Sequence, residues 1–140
     1  IRHDSPSMSG SAGLGVGSRL SLLSSSMGRA YLASLSPAKR ERLYEALRTQ
    51  QPAQWGAEGA AADDAVKAGV RDGYAVSLRD WHPAIHACAV AFFAPSQREP
   101  YVASCSAPYT AADAERIRTE LAPALREFAA RLGQVAEPTM

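Results

Sequence analysis

Two runs of strand character, 85–93 and 100–106, lie one turn apart across 95–99, and this hairpin leaves the chain few folds to choose from. The first run is rich in Ala, Val and Phe. Around it the chain reads mostly as helix. Met27, Ala30, Tyr31 and Leu32 fall at helical spacing over 27–35. Ser36-Pro37 opens a second helix, with Ser as N-cap and Pro in the first position, and Leu43, Ala46 and Leu47 form its apolar stripe. A break is expected over 51–57 around Pro52, and a third helix over 59–71, closed near Gly73. Short strands are expected over 16–23 and 74–77, and a loop over the small, polar residues 5–13. Thr110 opens the last helix, with Asp113 three residues on. Its buried face reads as Ile117, Leu121, Leu125, Phe128 and Leu132, with a kink at Pro123 and an end at Gly133. Strands that are few and local, beside helices that do not alternate with them, predict an α+β domain: a central antiparallel sheet flanked by helices, with a long C-terminal helix.

Charge and cysteine content remove several functional classes. Fifteen Lys and Arg against 14 Asp and Glu leave a net charge of +1, no general field for nucleic acid. Two cysteines in 140 residues make no disulfide framework and suit a reduced, cytoplasmic setting. No apolar run approaches the roughly 20 residues that cross a bilayer, so no membrane partner is expected. His3 and His82 have no ligand spacing, so neither metal nor cofactor is expected. The glycine-rich run 13–17 lacks the Lys-Ser/Thr of a phosphate-binding loop. With Ile at position 1 and no signal-peptide core, the chain reads as one domain, 1–140, inside a longer product.

The hairpin also suggests a site. Pairing Ala94 with Pro100 would set Val90 opposite Ser104 and Cys88 opposite Ser106. One face would then carry His86, Cys88, Val90, Ser104 and Ser106, and the other Ala87, Ala89, Ala91, Ala103 and Cys105. Polar groups on the first face need partners from protein, water or ligand. A shift of one residue would separate the serines from Cys88. Trp81, in the adjoining loop, reads either as a lid or as an edge of the core. The serines of 24–26 precede a helix whose first N–H groups suit a carboxylate, although ordinary capping accounts for them too. Cys88 with His86 leaves a thiol-dependent hydrolase open as a rival, against a Cys that is simply a small buried hydrophobe.

Three segments resemble the IclR family of bacterial transcriptional regulators. VGSRLSLLSSSMGRAYLASLSPAKRERLYEAL is similar to that family's strand, Gly-Arg/Lys-Ala helix and second helix. RDGYAVSLRDWHPAIHACAVAFFAPSQREPYVASCSAP is similar to its Gly-Tyr strand, Ala-rich strand and hairpin, and ELAPALREFAARLG to its final helix. The resemblance implies a GAF-like effector-binding domain for a small carboxylate or aromatic acid, lacking its first strands. DNA would be bound only through a winged helix-turn-helix domain absent from these 140 residues, and the domain would form a homodimer or homotetramer. A GAF-like dimerisation module without ligand is the other alternative. Carried over, the ligand-binding candidates are Met27, Gly28, Ala30, His86, Cys88, Ser104 and Ser106, joined by Trp81 and Val90. Trp81 stands where the family carries an acidic residue and Ile85 where it carries glycine, so the effectors of relatives do not transfer.

Overall fold

A computed structural model of the protein describes residues 18–135. The expected loop 5–13 and the glycine-rich run 13–17 lie outside them. The elements run α1 (Ser26–Ser34), α2 (Pro37–Gln50), α3 (Pro52–Asp72), β1 (Ala75–Leu78), β2 (Ile85–Phe92), β3 (Tyr101–Pro108), α4 (Ala114–Arg116), a π-helical turn (Ile117–Leu121) and α5 (Ala122–Val135). The three strands form one antiparallel sheet in the order β1-β2-β3, as an α+β reading requires. No helix among the described residues is long and apolar enough to cross a membrane.

Helix starts follow local chemistry. The Ser25 hydroxyl accepts from the Gly28 N–H at 3.0 Å and caps α1. Ser36 caps α2 through the Lys39 N–H, with Pro37 in the first turn. The break expected at 51–57 shrinks to Gln51, because Pro52 is itself the first residue of α3. Proline fits that position, where no N–H is needed. Gly73, at φ 82°, closes α3 in the left-handed conformation that favours glycine. The described part of the strand expected over 16–23 is instead a turn around Ser21. Its hydroxyl accepts from the Leu23 and Ser24 N–H groups, and its carbonyl from Ser25. Such local side-chain bonding displaces extended structure.

The C-terminal helix departs most from its periodicity. Asp113, not Thr110, is the N-cap; its carboxylate accepts the Arg116 N–H at 2.8 Å. Pro123 does not break the helix, because the π turn precedes it, with the Ala122 N–H bonded to the Ile117 carbonyl. A π turn carries one extra residue and so moves everything after it to a new phase. The buried face therefore runs Ile117, Ala122, Leu125, Ala129, and Phe128 is left 55% exposed. Gly133 lies within the helix.

Two layers of helix enclose the sheet. α5 covers the face bearing Cys88 and Val90. α1 covers the other, where Ala30 meets Ala75 and Ala89 beside Met27 and Val102. Leu23, Leu32, Tyr44, Ala62 and Val66 form a separate core among α1, α2 and α3. Small residues let α1 approach closely, and Gly28 is the tightest point. A Cβ there would stand 2.5 Å from the Leu22 Cα and 2.6 Å from the Ser21 and Leu22 carbonyl oxygens, all of them backbone. At Gly56 a Cβ would meet nothing within 4 Å. Gly28→Ala is expected to destabilise the fold by about 1–3 kcal/mol through overpacking. Gly56→Ala should stabilise it by roughly 0.5–1 kcal/mol through helix propensity. Urea unfolding of the two variants beside the parent chain checks both signs.

Candidate functional site

The β2–β3 register places Ala87 opposite Ser106, Cys88 opposite Cys105 and Ala89 opposite Ser104. This is one residue away from the pairing expected at Ala94 and Pro100, and it moves both serines to the α1 face. The burial on the two faces accounts for it. Cys88 and Val90 join the core under α5, whereas Ala87 and Ala89 present small side chains beneath α1. The candidates therefore divide. Met27, Trp81, Ser104 and Ser106 line one cavity. Ala30 packs beside it on Ala75 and Ala89, and Gly28 faces the backbone of 21–22. His86, Cys88 and Val90 do not reach it. Cys88 and Val90 lie under α5, and the His86 Nδ1 is 2.9 Å from the Ala112 carbonyl oxygen.

The cavity measures about 50 Å³ and includes Ser25 and Ser26, from the helix start read above as suited to a carboxylate, and is completed by residues the sequence reading missed, Ser77, Ile85 and Ala87 among them. The period-2 alternation through 75, 77, 87 and 89 was the signal that could have found Ser77, since it shares a face with Ala87. Two of the serines are already bonded. Ser77 donates to the Ser24 carbonyl at 2.6 Å. Ser25 donates to the Ser21 carbonyl at 2.6 Å while capping α1. The Ser26 hydroxyl is different: the residue is 4% exposed, and its oxygen, open to the cavity, has no partner among the described residues. The N–H groups of Ser26 and Met27, at the start of α1, are likewise unbonded among the described residues. Ser104 and Ser106 carry free hydroxyls across the cavity, on its open side. No charged side chain lines it. What it offers is hydrogen-bond donors and the positive end of a helix dipole, an arrangement suited to an anion.

Arg29 lies next to the cavity but is engaged elsewhere. Its guanidinium, in a residue 2% exposed, donates from Nε to the Leu23 carbonyl (2.7 Å) and from Nη1 to the Val76 carbonyl (2.9 Å) and Asp80 Oδ2 (2.8 Å). It thereby ties the turn before α1, strand β1 and the loop that holds Trp81. Arg79 secures the same loop from the other side. It adopts φ 65°, donates to the Pro83 carbonyl at 2.6 Å, and lays its guanidinium 4.3 Å from the centre of the Tyr109 ring. Trp81 is thus held at the cavity by the residues on either side of it in the chain. Among the described residues no group of His, Cys, Asp and Glu could hold a metal ion.

Comparison with known proteins gives a consistent set of relatives. The family model for the C-terminal domain of the bacterial transcriptional regulator IclR matches residues 2–134. The chain is similar to the crystal structure of an IclR family transcriptional regulator from Brucella abortus, at 26% identity and a TM-score of 0.77, over 84% of this chain and 45% of that one. It is similar in fold to the Agrobacterium tumefaciens repressor BlcR, at 19% identity and a TM-score of 0.71, over 87% and 50% of the two chains. It is also similar in fold to the inducer binding domain of the PobR transcription factor from Acinetobacter. That domain is a double mutant in complex with 3-hydroxybenzoic acid, matched at 17% identity and a TM-score of 0.70 over 95% and 78%. The chain spans about half the length of the Brucella and Agrobacterium proteins. No curated protein matches it.

The geometry also decides the state of the thiols. Cys88 is fully buried, and burial, with Cys105 across the strand pair, pushes its thiol from the ordinary 9.0 up to about 12. Burial raises Cys105 as well. A thiol held protonated has little nucleophilic character. Iodoacetamide at pH 7–8 should leave Cys88 unmodified in the native chain and label it on unfolding, read by mass spectrometry; rapid native labelling below pH 7 would refute this. The sign of the pH dependence follows. Between about pH 9 and 12 the unfolded chain releases a proton that the folded chain keeps, so stability falls as pH rises through that window. Cys88→Ala should flatten this alkaline slope.

Proposed function

Since the chain belongs to the IclR family of bacterial transcriptional regulators, whose C-terminal domain it matches over residues 2–134, we propose that the serine-lined cavity is its effector site and takes a short carboxylic acid. The observation that carries this is the unpartnered Ser26 hydroxyl, open to the cavity beside two free N–H groups at the start of α1 and across from the free hydroxyls of Ser104 and Ser106. Polar groups that line a cavity find their partners in water or ligand. A carboxylate would satisfy the helix end and the serines together. Met27, Ile85, Ala87 and Trp81 would cover its apolar part and exclude water, which strengthens those bonds.

Size supports a short acid. A void of about 150 Å³ holds benzene, whereas this cavity measures about 50 Å³. The absence of a cationic side chain in its lining favours a monoanion, because the helix end supplies only about half a positive charge. In this reading the domain is a cytoplasmic sensor. Its occupancy sets the DNA affinity of a winged helix-turn-helix carried elsewhere in the regulator, and it works as a homodimer or homotetramer. A thiol-dependent hydrolase built on Cys88 and His86 is disfavoured, since neither faces the cavity and His86 is bonded to Ala112.

A thermal-shift screen of two- to four-carbon hydroxy and oxo acids, with benzoate for comparison, tests the site. A short acid should raise the Tm and benzoate should not. Ser26→Ala and Ser104→Ala should each weaken binding about tenfold or more, the value of one charged hydrogen bond. Ala87→Phe should abolish binding by filling the cavity, while Ser96→Ala, in the hairpin loop, should change nothing. If an acid binds Ala87→Phe as well as it binds the parent chain, the site lies elsewhere.

A further inference from the structure

We infer that the groove between α2 and the β2–β3 hairpin is a second ligand site, for an amphipathic organic anion with a flat apolar body. The groove encloses about 640 Å³, inside the range of roughly 300–1,000 Å³ usual for small-molecule sites. Its apolar surface comes from Tyr31, Leu43 and Phe93, and Phe93 stands 46% exposed just past the end of β2. Its charge comes from Lys39 and Arg42 on α2 and Arg98 on the hairpin, against the single carboxylate of Glu99.

The placement of those cations carries the inference. Lys39, Arg42, Leu43 and Ala46 fall at i, i+3, i+4 and i+7, so they share one helical face, and all four line the groove. The other cations of α2 are engaged. Arg40 donates to the Leu32, Ala33 and Leu35 carbonyls at the end of α1. Arg48 pairs with Glu41 and lies over the Trp55 ring. Lys39, Arg42 and Arg98 have no ion-pair partner among the described residues. Three unpaired cations around aromatic surface match an anionic head on a flat body: the guanidinium forks can take the oxygens two at a time, and the rings can stack. A second copy of the chain is a poorer occupant, because a two-fold contact through this groove would set like charges against each other.

This site does not depend on the reading of the serine-lined cavity. An aromatic acid too large for about 50 Å³ has room here. The probe is 2-naphthalenesulfonate, with neutral 2-naphthalenemethanol as its uncharged counterpart, titrated into the 140-residue chain by calorimetry and by ¹H–¹⁵N correlation spectra. The sulfonate should bind one to one, at least tenfold tighter than the alcohol, and shift the amides of Lys39, Arg42, Phe93 and Arg98. Arg42→Gln with Arg98→Gln should cost at least tenfold. Ala87→Phe, which fills only the small cavity, should leave the affinity unchanged, so failure at one site is separable from failure at the other. Equal binding of the two probes, shifts confined to Ser26 and Ser104, no saturable binding, or a dimer in sedimentation that the paired Gln variant dissociates would each overturn the proposal.

Discussion

The fold depends on a cation out of water. Arg29 lies inside the molecule, and its guanidinium holds the turn at Leu23, just before its own helix, to strand β1 at Val76 and the adjoining loop at Asp80, about fifty residues on. A buried charge is tolerable only when its donors are met, and breaking such a group costs far more than a surface pair does. Here two neutral carbonyls and a half-exposed carboxylate share the work. Because one planar group meets all three, the start of α1, the edge of the sheet and the Trp81 loop keep a fixed relation. The Ser77 bond to the Ser24 carbonyl braces the same junction from the sheet side. The alanines beneath α1 and the glycine at its first turn follow from this closeness, since any larger side chain would push the helix off the guanidinium's reach.

Much of this was open to reading in the residues. Ser36-Pro37 marks the start of α2, and Gly73 the end of α3, because capping is a local matter settled within a few residues. From α1 onward the order of elements and the antiparallel sheet followed from spacing, whereas the strand expected over 16–23 is a turn in its described part. The failures are as instructive. Pro52 reads as a break by its usual effect inside helices, yet at a first turn it is a starter. The hairpin register was off by one, since nothing in its residues alone distinguishes which alternating set goes under α5. That one residue decided the candidate site: it kept Ser104 and Ser106 and dropped His86, Cys88 and Val90. Ser26 was legible as one of three serines at a helix start that suits either capping or a carboxylate. That it lacks a partner is a property of the packed structure.

The two concave features use polarity in opposite ways. The small cavity holds neutral donors and one helix end, so it discriminates by direction and size more than by charge. The groove has cations on long, mobile stems around aromatic surface, so it discriminates by charge and tolerates shape. Both touch α1. Ser26 and Met27 stand at one end of that nine-residue helix and Tyr31 and Ser34 at the other.

The π turn at Ile117–Leu121 has a consequence for how this fold tolerates change in length. It behaves as a stored insertion. One extra residue is taken up within a single turn, and the chain on either side keeps its hydrogen bonds. Deleting one residue there would only remove the bulge and leave α5 in phase, whereas winding all five residues as regular α-helix would turn α5 by one position, directing Phe128 toward the place now held by Ala129 against Cys88 and Val90. A layer sized for alanine cannot accept a phenyl ring without parting from the sheet. The turn is thus a phase lock: a few residues of irregular winding hold a long helix to the one rotation at which its small residues face inward.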